Sequence, residues 1–214
     1  MKKLLFLLLP VLSFAQTKVI TKNNLIIYHG DITLYLSDDT CSMVSKHILT
    51  YDNFLKIGTI KRGNDPWFED TYKGKYKEKY YKKTGYDLGH YTPFKATSYN
   101  LETSNNSFSL FNQGPQFANF NEHPWEQLEM HVLDTIAKYK KDAILITGCI
   151  YELNNTKYLP NSKIKIPAYY FKTLLINNIS YCWIGDNKTG LIKIIKLDTL
   201  NSIFLKNKMN LIIQ

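Results

Sequence analysis

Tyr86-Asp87-Leu88-Gly89-His90 and, further on, Asn121-Glu122-His123-Pro124-Trp125-Glu126-Gln127-Leu128-Glu129 bound the stretch that decides how this chain folds. A histidine just after a glycine, two short apolar runs and then an amphipathic segment outline a strand–strand–helix unit. From Trp125 the apolar positions Trp125, Leu128, Val132, Leu133, Ile136 and Tyr139 follow the i, i+3, i+4, i+7 stripe of a core-facing helix. At about 100° per residue, Glu129 falls inside that stripe, between Trp125 and Leu133. An ionised carboxylate buried there is costly without a partner. The partner is either a lysine or arginine of the core, or a water held by a metal ion.

A helix beginning near Asn119 or Phe120 puts Asn121, Trp125 and Glu129 at i, i+4 and i+8 on one face. Pro124 is tolerated only in a first turn. Asn121 reads either as a helix cap or as a hard neutral oxygen ligand of the kind Mg²⁺ accepts while keeping most of its waters. About 12 Å of helix rise separates it from Glu129, so Glu129 reads as the group that orients a water on the ion. His90 is either a structural histidine or a neutral imidazole able to take a proton from water. Gly89 is expected to let the backbone turn so that the ring leaves the strand end.

Outward from this stretch, Lys2 and Lys3, the apolar run Leu4 to Leu12 and the small-residue site Ser13-Phe14-Ala15 read as a secretory leader. Its apolar run is short for a membrane span. The expected organisation is therefore a signal peptide at 1–15 and a single domain at 16–214, secreted or periplasmic, with no stable membrane insertion once the leader is cleaved. The formal net charge is +9, which suits a polyanionic partner or simply solubility. Hydrophobic residues at 44% supply a core and exclude a disordered chain. Residues 61–83 mix Lys61, Arg62 and six lysines, Lys82 and Lys83 among them, with tyrosines at 72, 76, 80 and 81. Such a segment either stacks bases while neutralising phosphates or is a solvated face.

Strands are expected on either side of the His29-Gly30-Asp31 turn, from His47 to Tyr51, from Phe54 to Ile60 and from Ala143 to Tyr151. Two more span 164–176 and 179–184 around an Asn177-Asn178 turn. A last strand, Leu191 to Leu197, precedes a short helix from Asp198. Strands flanking one long helix predict an α+β domain with a mostly antiparallel central sheet flanked by helices. Of Cys41, Cys149 and Cys182, the latter two lie in strand-like runs, which allows a bridge between neighbouring strands. No C-x-x-C is present, so these cysteines form no zinc site.

The order D-x-G-H (Asp87 to His90), N-x-x-P-Q (Asn112 to Gln116) and N-x-x-x-W-x-x-L-E (Asn121 to Glu129) resembles the DNA/RNA non-specific endonuclease family, the sugar-non-specific, endonuclease G-like nucleases. Arg62…Phe68…Asp70, Thr84-Gly85-Tyr86, Thr147-Gly148 and Ile166 to Lys172 resemble further family segments, so the likeness spans most of the chain. The resemblance implies a ββα-metal (His-Me finger) endonuclease fold and hydrolysis of DNA and RNA phosphodiesters to 5′-phosphates. His90 would be the general base. Asn121 would be the sole protein ligand of Mg²⁺, Mn²⁺ or another divalent ion, and Glu129 would hold one of its waters. Asp87 would orient the histidine loop, Arg62 would contact phosphate and Asn112 would shape the site.

Two departures stand out. Leu88 occupies the position of the arginine in the family's D-R-G-H, and a leucine cannot clamp a phosphate as a guanidinium does. Met130, His131, Val132 and Leu133 fill the turn where a second arginine is usual. Lys95, His131 or a lysine of 73–83, such as Lys82 or Lys83, are the candidate replacements. The alternative reading is a catalytically weakened homologue that only binds nucleic acid. A zinc hydrolase built on His123 and His131 fits poorly, because their spacing of eight is not the i, i+4 pair of a helical zinc site. Oligomeric state is not legible.

Overall fold

A computed structural model describes residues 19–21, 26–36, 42–63, 67–69, 77–154, 156–209 and 211–214. The leader at 1–15, Cys41, Asp70, Lys73 and Lys75 lie outside the described residues. In chain order the elements are β1 (Val19–Thr21), β2 (Ile26–His29), β3 (Ile32–Leu36), β4 (Ser42–Leu49), α1 (Tyr51–Phe54), β5 (Tyr86–His90), α2 (Phe94–Thr97), α3 (Leu101–Asn106) and β6 (Gln113–Phe117). There follow α4 (Ala118–Phe120), a π-helical turn (Asn121–Trp125), α5 (Glu126–Tyr139), β7 (Ala143–Ile150), β8 (Lys157–Tyr158), β9 (Lys165–Ile166) and β10 (Tyr169–Ile176). β11 (Ile179–Asp186), β12 (Ile192–Ile195), α6 (Leu197–Lys206) and β13 (Leu211–Ile213) complete the chain.

Seven strands form one sheet in the order β12-β11-β10-β7-β4-β3-β2, every pair antiparallel. An antiparallel sheet often leaves one face to solvent, but here both faces of the central strands are covered. On one side the π-helical turn and α5 lay Trp125, Leu128, Val132, Leu133 and Ile136 against Leu145, Tyr170, Leu174 and Trp183. On the other, α6 and β13 bring Leu200, Phe204, Leu211 and Ile213 against Val44, Ile146, Phe171 and Cys182. This double burial is why Ala143–Ile150 reads as a nearly unbroken apolar run. The turn after β10 uses Asn177 and Asn178, both at positive φ (50° and 61°). That is the left-handed pair a two-residue hairpin turn demands.

Several expectations are corrected. No strand runs from Phe54 to Ile60. Instead Thr50 caps α1, its hydroxyl accepting from the Asn53 N–H at 3.2 Å, and Gly58 at φ +89° turns the chain away. The run from Ile164 to Ile176 is split around Pro167, into β9 and β10. The strand read at Leu191–Leu197 is confined to Ile192–Ile195, α6 begins at Leu197, and β13 follows to pair with β1. Cys149 and Cys182 form no disulfide with each other. β10 lies between their strands, and they face opposite cores. The Cys149 thiol instead accepts from the Tyr91 hydroxyl at 3.2 Å, and burial raises its pKa to about 11. Among the described residues, no helix is long and apolar enough to cross a membrane.

Beside the main sheet, β5 and β6 pair as a hairpin, with Gly89 opposite Gly114 and His90 opposite Gln113. Gly89 does not turn the chain, as the sequence suggested; it lies within β5. A Cβ there would meet the Gln116 side chain at 1.9 Å, and one on Gly114 would meet the Tyr170 hydroxyl at 2.6 Å and the Tyr91 hydroxyl at 2.9 Å. The facing glycines let the hairpin press down onto its support. The α4–π–α5 helical run follows directly, completing a β–β–α finger laid across the sheet.

Candidate active site

The helical run starts at Ala118, whose N–H donates to the Gly85 carbonyl at 3.0 Å and so ties the helix start to the turn before β5. Pro124 has no N–H to give and would clash with a carbonyl one turn back in a regular helix. The chain answers with the wider π turn at Asn121–Trp125, a local widening common at functional positions. Asn121 therefore does not share one uninterrupted helix with Glu129, as the spacing suggested. It still reaches the hairpin: its Nδ2 donates to Asp87 Oδ2 at 3.0 Å.

An open cleft of about 710 Å³ lies between the hairpin and the helical run of the finger, lined by Asp87, Leu88, His90, Asn121, Glu129 and Arg62 among others. The structure thus brings together the residues read from the sequence as base, ligand and carboxylate. Trp67 packs on the His90 imidazole with centroids 4.7 Å apart, and Phe108 meets it edge-on at 5.3 Å. The Arg62 guanidinium stands 5.7 Å from the Phe108 ring and 6.0 Å from Phe94. A short bridge between Phe68 and Ser109 ties this segment to the rest. Trp67 and Phe108 were missed in the sequence, because nothing in the spacing of residues 61–83 shows that bridge.

Asn112 lies buried behind the histidine. Its Oδ1 accepts from the Thr92 N–H at 3.0 Å, while its Nδ2 donates to the Thr92 and Ser107 carbonyls, both at 2.8 Å. Its own carbonyl accepts from the Tyr91 N–H at 2.9 Å. Three of these bonds fix the backbone at Tyr91 and Thr92, immediately after His90, and the fourth ties it to Ser107.

Among the suggested replacements for the missing arginines, Lys95 lines the cleft, joined there by Lys61. Lys82 and Lys83 do not; they are exposed in the turn before β5. His131 packs T-shaped with Trp183, ring centroids 6.0 Å apart, and is not among the residues lining the cleft. Leu88 is half-buried and packs with Trp67 against the core cluster around Phe111 and Leu159.

Glu129 has the partner its buried position demands. Lys172 on β10, only 2% exposed, places Nζ 3.4 Å from Glu129 Oε1, while Glu129 keeps 19% of its side chain accessible. Burial raises the Glu129 pKa and lowers that of Lys172, and each charge opposes the shift of the other.

A family model described as DNA/RNA non-specific endonuclease matches residues 14–201. This chain belongs to that family. The solved structure of the EndoG/EndoGI complex, a study of EndoG inhibition, is similar in fold, with a TM-score of 0.73 at 16% identity over 86% of this chain and 84% of that one. No curated protein matches the sequence. Membership makes this protein a nuclease, a hydrolase acting on nucleic acid, and the mixed α+β fold with its large antiparallel sheet agrees.

The donors in this nuclease's cleft suit a hydrated hard cation. Asn121, with its Nδ2 committed to Asp87, has its Oδ1 to offer, and Glu129 adds carboxylate oxygen. Among the described residues no three His, Cys, Asp or Glu side chains gather as a metal site.

Proposed function

We propose that this nuclease is an exported, divalent-metal-dependent endonuclease that hydrolyses DNA and RNA phosphodiesters with little sequence preference, leaving 5′-phosphates. The observation that carries the reading is the meeting of His90, Asp87, Asn121 and Glu129 in one cleft with Arg62 and Lys95. Export rests on the leader pattern of residues 1–15.

His90 is the general base, taking a proton from the water that attacks phosphorus. Trp67 and Phe108 both pack on its ring, and Asn112 holds the backbone of the two residues that follow it. Arg62 and Lys95 meet the phosphate backbone, which carries no sequence information. Asp87 fixes the Asn121 amide so that its Oδ1 would be the atom to hold Mg²⁺ or Mn²⁺, and Glu129 would hold one of the ion's waters. When bound, the ion supplies the positive charge that stabilises the transition state and the leaving 3′ oxygen.

The test is cleavage of plasmid DNA and of RNA by purified protein, with Mg²⁺, with Mn²⁺ and with chelator. Both substrates are expected to be cut in a chelator-sensitive way, and His90→Ala should lose about 10²–10⁴-fold. No cleavage with any divalent ion would sink the proposal. Leu88 favours a second reading, a homologue that binds nucleic acid without turnover. It requires wild type and His90→Ala to be equally inert.

A further inference from the structure

β10 is apolar at nearly every position that faces the helix, with Tyr170, Leu174 and Ile176 in the core beneath α5. Lys172 interrupts that row. Its Nζ donates to Thr147 Oγ1 at 3.0 Å, lies 3.4 Å from Glu129 Oε1, and stands 5.0 Å from the centre of the Trp125 ring. Lys172 and Thr147 are register partners on adjacent strands, so the sheet itself sets the position of the ammonium. A buried ion pair contributes little net stability, and a hydrophobe of the same length often does as well. Stability therefore does not account for a lysine here.

Position does. Lys172 sits below Glu129, and Glu129 also lines the cleft above. One carboxylate oxygen is tied down to the sheet, which leaves the other for the cleft. We propose that Lys172 is a positioning residue: anchored by Thr147, its ammonium clamps Glu129 so that the carboxylate presents a fixed oxygen to the ion. The inference rests on the reading of Glu129 as the ion's carboxylate. It adds a requirement from a different strand that touches neither substrate nor ion.

The experiment combines Lys172→Met, Glu129→Gln and the double variant, read in two ways. In chelator, thermal melting reports the pair without metal or substrate, and the two changes should be non-additive, the double variant losing less than the sum of the singles. In steady-state cleavage, Lys172→Met should lower kcat about 10–100-fold, with KM for DNA within about threefold because Lys172 does not meet nucleic acid. In the Glu129→Gln background the same change should cost less than about twofold. Thr147→Val removes the anchor and keeps the charge. It should lower kcat alone, again only when Glu129 is present, and it serves if Lys172→Met does not fold. A Lys172→Met enzyme within twofold of wild-type kcat, or equal losses in both backgrounds, would overturn the proposal. If wild type cleaves nothing, the nuclease reading fails by itself. The melting cycle then decides the pair, additive losses showing that no clamp exists.

Discussion

The side-chain amide of Asn121 donates to the carboxylate of Asp87 across 3.0 Å, joining the helix of the finger to its first strand. A carboxylate accepts but does not donate, so the contact decides which way the Asn121 amide points. It also explains the role of an aspartate three residues before His90. Asp87 need not touch the substrate; it selects the atom Asn121 offers.

Asp87→Ala should therefore act on the ion rather than on the fold. The Mg²⁺ concentration for half-maximal cleavage should rise about 10–100-fold, as with other losses of a group that orients a metal ligand. Titrating Mg²⁺ at saturating DNA checks this, and an unchanged midpoint would refute it.

Asn112→Ala removes three side-chain hydrogen bonds from a fully buried position. The partners left behind are backbone groups that water cannot reach. A loss of about 2–4 kcal/mol in unfolding free energy is expected from denaturant curves. Cleavage should fall further than stability alone explains, because the backbone after His90 loosens.

Leu88→Arg restores a charged donor in the cleft. Loss of one such donor commonly costs 10²–10³-fold in rate, so a gain of about 10-fold or more in kcat/KM at low salt is expected. Part of the leucine packs against the buried cluster around Phe111 and Leu159, and a modest fall in melting temperature should accompany the gain. No gain would mean that Lys61, Arg62 and Lys95 already meet the need.

His47 lies fully buried, with Nε2 3.2 Å from the Tyr99 hydroxyl, which donates to Asp31 at 2.8 Å. Burial first, and then the Lys172 charge, lower its pKa to about 3 from 6.5. Between those values the unfolded chain binds a proton that the folded chain does not. This contribution to stability is complete above about pH 6.5 and is lost as pH falls toward 3, by up to about 1.4 kcal/mol per pH unit. His47→Gln should flatten the melting temperature against pH between 6.5 and 4, and an unchanged slope would contradict the assignment.

The fold was legible where one pattern dominated. The stripe from Trp125 to Tyr139 gave the helix, the apolar run at Ala143 gave a central strand, and Asn177-Asn178 gave a hairpin turn. Phe54 to Ile60 misled because a threonine cap outweighs apolar content over so short a run. At the site, residue type and spacing singled out His90, Asn121 and Glu129, while Asp87 and the roles of all four came from the family resemblance. Lys172 could not be given a task, although a lysine inside an apolar strand is itself a signal. Its task depends on the register that sets it beside Thr147. Trp67 lay in a charged, tyrosine-rich segment whose contact with His90 is created by pairing far along the chain. Gly89 was read as a turn and lies instead inside β5, where a Cβ would meet Gln116.

The facing glycines of the hairpin carry a practical consequence. With no side chain at the paired positions 89 and 114, the seat of the finger is fixed by backbone against hydroxyl and amide, and any larger residue there acts as a wedge against Gln116, Tyr170 or Tyr91. Redesign toward other substrates thus has its freedom at the mouth of the cleft, around Leu88, Lys95 and Lys61, while the seat offers none.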